Sequence, residues 1–194
     1  MAVVSPDPQV HRPTVDVGAV RRLTFELLKA LGQDVNRPGL EGTPDRVARF
    51  WKEFIEYDAG NFDLTFEHMA TDQMVIVKGI GTVSLCEHHM LPFSMQVAVG
   101  YIATEKVIGL SKIARIVHRV AHALQIQERI CHEIADHIEQ VAGTKDVAVY
   151  AEGEHSCMSM RGIRTPATMS TSVMRGKFFD LTDTRQEFLS IATR

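Results

Sequence analysis

Cys86-Glu87-His88-His89 and His155-Ser156-Cys157 place two thiols and three imidazoles in two short segments far apart in the chain. A borderline-soft divalent ion such as zinc takes thiolate and imidazole ligands, and a catalytic zinc keeps three protein ligands and one position open to water. Cys86, His89 and Cys157 supply such a set, with His88 and His155 left beside it to carry protons. The pattern points to a zinc enzyme that activates water. Cys86 and His89 stand three positions apart and reach one ion only if the chain turns between them. Read as an extended strand, residues 155–161 put His155, Cys157, Ser159 and Arg161 on one face, with Ser156, Met158 and Met160 on the other. An imidazole, a thiol and a guanidinium on one face suit a site better than a core.

Gly109-Leu110-Ser111-Lys112-Ile113-Ala114-Arg115 opens a helix, with Ser111 expected as its cap. Cations in a first helical turn oppose the macrodipole unless an anion sits there. Free backbone N–H groups with Lys112 and Arg115 make a phosphate cradle; two solvated surface cations are the plainer alternative. Glu128 is either solvated surface or the acceptor for a guanine edge, and nothing local decides. Cys131 reads as a small buried residue. His118 and His122 fall on the flank of a helix and are rejected as a metal pair.

These groups need elements to hold them. A helix is expected over Asp16 to Leu31, with a stripe of Val20, Leu23, Leu27, Leu28 and Leu31 and a stop at Gly32. Thr43 as N-cap and Pro44 at the first position open a second helix, with Val47, Phe50, Trp51, Phe54 and Ile55 inward. Residues 58–71 read as loop, and Met74 to Val77 as a short strand. Phe93 to Tyr101 alternates with the period of a strand. Ile113, Ile116, Val117, Val120, Ala121 and Leu124 stripe a third helix. A fourth runs from Gln127 to Val141 and ends at Gly143. Val147 to Ala151, His155 to Met160 and Thr168 to Met174 read as strands, and Thr184-Arg185-Gln186-Glu187 has capping-box form. Strands cluster instead of alternating singly with helices, which favours α+β with a mostly antiparallel sheet.

The chain has 194 residues, 45% of them apolar and 23% charged, with a formal net charge of -3. That balance suits a globular protein and gives no nucleic-acid footprint. No apolar run reaches the roughly 18 residues of a membrane span. Three cysteines in this spacing do not form a disulfide framework, so reduced thiols and a cytoplasmic setting are expected. Residues 1–13 read as a disordered lead-in. Residues 14–194 read as one domain, with N-terminal helices over 14–57 and a core over 72–194.

Several spaced motifs, taken in order, resemble the GTP cyclohydrolase I family. They are Ser84-Leu85-Cys86-Glu87-His88-His89, Gly109 to Arg115, Gln125-Ile126-Gln127-Glu128-Arg129, His155 to Arg164, and the helix start Thr43-Pro44-Asp45-Arg46-Val47-Ala48. The resemblance implies a tunnelling fold, a homodecamer of two stacked pentameric rings and active sites at subunit boundaries. It implies conversion of GTP and water to 7,8-dihydroneopterin triphosphate and formate. By position it assigns Cys86, His89 and Cys157 to zinc and His88 and His155 to catalysis. Glu128, with the Gln127 backbone, anchors guanine; Ser111, Lys112, Arg115 and Arg161 contact the triphosphate; Arg46 is a phosphate-binding arginine from a neighbouring subunit. A nitrile-reductase relative using a nucleophilic cysteine, a different GTP ring-opening enzyme and a structural-zinc ring protein remain the alternatives.

Overall fold

In the computed structural model, residues 13–61, 65–67, 72–104 and 106–194 are described. The expected lead-in over 1–13 lies outside them except for its last residue. The chain divides into two compact units, one ending at Asp58 and one running from Ala59 to Arg194.

The first unit is a pair of helices, α1 (Val17–Ala30) and α2 (Thr43–Ile55). Asp16 caps α1 by accepting from the Ala19 N–H at 2.8 Å, and Gly32 ends it in the left-handed region at φ 71°. The α1 stripe is not a core face, since Leu23, Leu27 and Leu31 are all exposed. In α2 the cap is Gly42, not Thr43, whose hydroxyl lies 3.4 Å from the Gly39 carbonyl. Its inward face is Pro44, Ala48 and Phe54; Val47, Trp51 and Ile55 are half-buried and Phe50 is exposed.

The second unit is built on a five-stranded sheet in the order β5-β2-β3-β6-β7. The strands are β2 (Met74–Cys86), β3 (Pro92–Ile102), β5 (Leu124–Gln125), β6 (Val147–His155) and β7 (Thr168–Met174). All pairs are antiparallel except β2 with the short β5. A separate ribbon pairs β1 (Thr65–Glu67) with β4 (Lys106–Ile108), where the sequence reads as loop. The architecture is therefore α+β with a mainly antiparallel sheet.

Helices cover both faces of the sheet. Helices α3 (Leu110–Ala121) and α4 (Gln127–Ala142) bury Ile113, Ile116, Val117, Ile130, Ile134 and Ile138 against Val97, Val99, Tyr101 and Val149. On the other face, Phe178 of α6 (Lys177–Asp180) and Phe188 of α7 (Thr182–Ala192) pack on Ala98, Ile102 and Ala148. The alternation along β3 thus feeds two cores. Gly109 caps α3, and Ser111 lies in its first turn. Leu124 leaves the α3 stripe for β5 and is exposed. Helix α7 begins at Thr182, so the expected capping box is not formed.

Two differences from the sequence reading bear on the site. First, β2 continues to Cys86 well beyond Val77, after a register shift between Val77 and Ile80 around Gly79, whose φ is 71°. Second, residues 156–159 are not strand. Helical turn α5 (Ser156–Ser159) follows β6 directly. The β3 ladder begins at Pro92, which has no N–H to give, and β6 loses its partner after His155 pairs with Phe93.

Candidate functional site

The sheet register brings the chemical groups to one end. Cys86 closes β2 and pairs with Gln125 of β5; Phe93, the second residue of β3, pairs with His155 at the end of β6. A tight turn then returns the chain from β2 to β3. The Cys86 carbonyl accepts from Met90 N–H at 2.8 Å and from His89 N–H at 3.3 Å, while Cys86 N–H donates to Leu91 at 2.9 Å. Met90 sits at φ 54°, uncommon for a residue with a side chain. This is the turn that Cys86 and His89 need in order to share an ion.

The ligand atoms of Cys86, His89 and Cys157 all lie within 4.8 Å of one another. His89 Nδ1 and His88 Nδ1 are each 3.8 Å from Cys86 Sγ. Cys157 arrives from α5, so a helical turn, not strand alternation, aims it. Zinc bonds of about 2.3 Å to sulfur and about 2.0 Å to nitrogen suit this spacing with little movement. The donor set fits as well: two thiols and an imidazole, the combination that zinc takes. Burial and the neighbouring Cys86 push the Cys157 thiol upward. A cation between the two sulfurs reverses that balance.

Arg161 NH1 stands 2.6 Å from His89 Nε2. Guanidinium only donates, so Nε2 accepts and the His89 proton is on Nδ1. An ion on Nε2 takes that lone pair, and an ion on Nδ1 leaves the proton on Nε2. Either way, metal binding ends this bond and frees Arg161.

His155 is half-buried. Its ring stacks on Phe93 with centroids 4.5 Å apart and planes 8° from parallel, and its Nε2 is 2.9 Å from Gln127 Oε1. Burial lowers its pKa, and the charge of Glu128 opposes the shift. Glu128 itself is exposed in the first turn of α4, a helix with no side-chain cap. His88 has a side chain 64% exposed and lies 3.8 Å from the Glu87 carboxylate.

The remaining residues form other groups. At the start of α3, Lys112 Nζ and Arg115 NH1 converge on the Asn61 carbonyl at 2.7 and 3.0 Å. Ser111 is exposed beside them. In the first unit, Arg46 donates to the Gly39 carbonyl at 2.9 Å and to the Thr43 hydroxyl at 3.1 Å. The rejected His118 and His122 are engaged with Thr82 Oγ1 at 3.3 Å and the His118 carbonyl at 2.6 Å.

The family model described as GTP cyclohydrolase I matches residues 20–193. The chain belongs to that family. It is 42% identical over 178 residues to GTP cyclohydrolase 1 of Sulfurihydrogenibium sp., covering 91% of this chain and 95% of the relative. The GTP cyclohydrolase 1 of Aquifex aeolicus is also 42% identical, over 91% of this chain and 97% of its own length. That of Rhodopirellula baltica is 41% identical over 97% of this chain and 84% of its own.

Within this family member, one supporting group escaped the motif reading. Arg129 grips Glu87 with two hydrogen bonds of 2.7 and 3.1 Å, which holds the Glu87 carboxyl below its usual range. Gln125 joins them, meeting Arg129 NH1 at 3.3 Å and donating to Glu133 at 2.9 Å. This ties the Cys86–Met90 turn to α4. The signal was present: Gln125, Arg129 and Glu133 recur at helical spacing of four.

Proposed function

We propose that this chain converts GTP and water to 7,8-dihydroneopterin triphosphate and formate, the entry step of folate and other pterin synthesis. The observation that carries the reading is the meeting of Cys86, His89 and Cys157 from two distant segments, with His155 held nearby, in a member of this family. Zinc, held by those three side chains, supplies a Lewis acid and lowers the pKa of water toward about 7.

The protein's own groups do the rest. His155 passes a proton to the imidazole ring of guanine, making C8 electrophilic, and His88 moves protons in the ring-opening and formate-releasing steps. Glu128 and the free N–H groups at the start of α4 hold the pyrimidine edge of guanine. Ser111, Lys112, Arg115 and Arg161 take the triphosphate, with Arg46 contributed by a neighbouring subunit. Lys112 and Arg115 now rest on a neutral backbone carbonyl, which a phosphate would outcompete.

The same reading places the chain in the tunnelling fold, as a cytoplasmic homodecamer of two pentameric rings. Exposed apolar side chains support an assembly: Leu110, Met160 and Ile163 in the second unit and Leu23 and Leu31 in the first. Among the described residues, no helix is long and apolar enough to cross a membrane. The deciding experiment incubates purified, zinc-loaded protein with GTP and measures formate and the pterin product. Formate with a dihydropterin triphosphate is expected. A ring-opened product without formate, or no reaction, would overturn the proposal.

A further inference from the structure

Gln127 is named by the family resemblance for its backbone, yet its side chain is fully buried at the first position of α4. Its Nε2 faces three acceptors: the Met169 carbonyl at 2.9 Å, the Thr171 hydroxyl at 3.2 Å and the Ala151 carbonyl at 3.3 Å. Turning the amide over would press Oε1 against two carbonyl oxygens. The strands β6 and β7 therefore fix which end is which. Oε1 is left pointing at His155 Nε2, 2.9 Å away. A carbonyl oxygen only accepts, so Nε2 must carry the hydrogen.

Two further features close the arrangement. Phe93 stacks flat on the imidazole and holds the plane of the ring, which keeps Nε2 in line with the amide. Gly153 leaves room for the amide: a Cβ there would lie 2.4 Å from Gln127 Oε1, with Met95 Cγ and the Ser94 carbonyl also in the way at 3.0 and 3.1 Å. The gap is occupied by the oxygen that accepts the hydrogen bond from His155 Nε2–H.

We propose that the Gln127 side chain is a positioning residue that fixes His155 as the Nε2–H tautomer and leaves Nδ1 as its proton-exchanging nitrogen. It does not touch substrate. It acts as the orienting partner of a catalytic imidazole does, by holding one ring nitrogen so that the other is available. The inference rests on the proposed role of His155 in the reaction, but the tautomer reading in its test does not.

The test uses zinc-loaded protein carrying 15N-labelled histidine, with the His155 signals assigned by their loss in His155→Ala. The native protein should show one tautomer, protonated at Nε2. Gln127→Met keeps the length of the side chain and removes the amide; it should mix the tautomers, keep its zinc and lower kcat on the order of 10²-fold, with KM for GTP little changed. Gln127→Glu, which keeps an acceptor oxygen, should recover part of the Nε2–H signal and of the rate. If Gln127→Met does not fold, Gly153→Ala displaces the same amide without deleting a polar group. An Nδ1–H tautomer in the native protein overturns the proposal outright. So does a Gln127→Met protein that loses rate while its tautomer stays as in the native one. Because the spectrum is read without GTP, a protein that released no formate would sink the catalytic reading and leave this one to stand or fall on the tautomer.

Discussion

Phe93 and His155 lie face to face across β3 and β6, and the same register makes them a cross-strand pair. The imidazole is thus carried by the sheet, with an apolar ring on one face and Gln127 at its Nε2. Its position is set by backbone pairing and packing, two positions before the candidate metal ligand Cys157.

His155→Ala removes the ring and leaves Cys86, His89 and Cys157 in place. Zinc content should stay near native. Formate release from GTP should fall by roughly 10²- to 10⁴-fold, the range for a side chain that transfers a proton in the reaction. Metal analysis and a formate assay on the same preparation check both halves. Turnover near the native rate would remove His155 from the chemistry.

Arg161→Ala separates metal binding from phosphate binding. The Arg161–His89 bond cannot coexist with an ion on His89, so losing the guanidinium should leave zinc affinity unchanged or higher. GTP binding should weaken by about 1.5–3 kcal/mol, the worth of a hydrogen bond to a charged group. Competition with a chromogenic chelator reads the first, and titration with GTP the second. Weaker zinc binding in the variant would mean that Arg161 supports the ligand set instead.

The chain has three cysteines, which should divide by chemistry. Burial, helped by the charge of Glu128, pushes the Cys131 thiol from 9.0 up to about 12. At a given pH its thiolate is scarcer than that of an ordinary cysteine by about three powers of ten. A thiol reagent at mildly alkaline pH should spare all three in the zinc-loaded protein. After chelation it should label Cys157 and then Cys86, which is more buried. Cys131 should react only with unfolding. Early labelling of Cys131, followed by peptide mapping, would contradict its place in the core.

The donor residues were legible from type and spacing, and so were α1, α4, β3 and β7 within a residue or two. What failed did so for physical reasons. The inward residues of β2 after Gly79 include Thr82 and Ser84, whose buried hydroxyls are partnered by His118 and the Ala123 carbonyl. Polar residues facing inward hid the strand, and the shift at Gly79 broke the alternation. The strand reading of 155–161 placed Cys157 beside His155 by pleat. The chain has no ladder there, and a helical turn aims the thiol. The side chain of Gln127 was not legible, because a buried glutamine has meaning only once its acceptors on β6 and β7 are known. Sequence spacing carries no trace of them.

Away from the site, Arg175 joins the end of β7 to α4. Its NH1 meets Asp136 at 2.7 Å and Glu139 at 2.9 Å, and Lys145 also pairs with Glu139. Burial alone would raise the Glu139 carboxyl, but the hydrogen bonds from Lys145 and Arg175 bring it below its ordinary 4.5. A carboxyl depressed in the folded state binds its proton more readily when unfolded. Its stabilising contribution is therefore present above the unfolded value and is lost as pH falls through the folded one. Arg175→Ala should cost about 1–2 kcal/mol near neutral pH, between the worth of an exposed pair and the cost of breaking a buried one. The deficit should shrink as pH falls from 4.5 through the lower folded-state value, where Glu139 of the native protein at last takes up its proton. Denaturant midpoints of the two proteins across that range give the answer, and a deficit that did not change with pH would show that Arg175 stabilises by packing and not by charge.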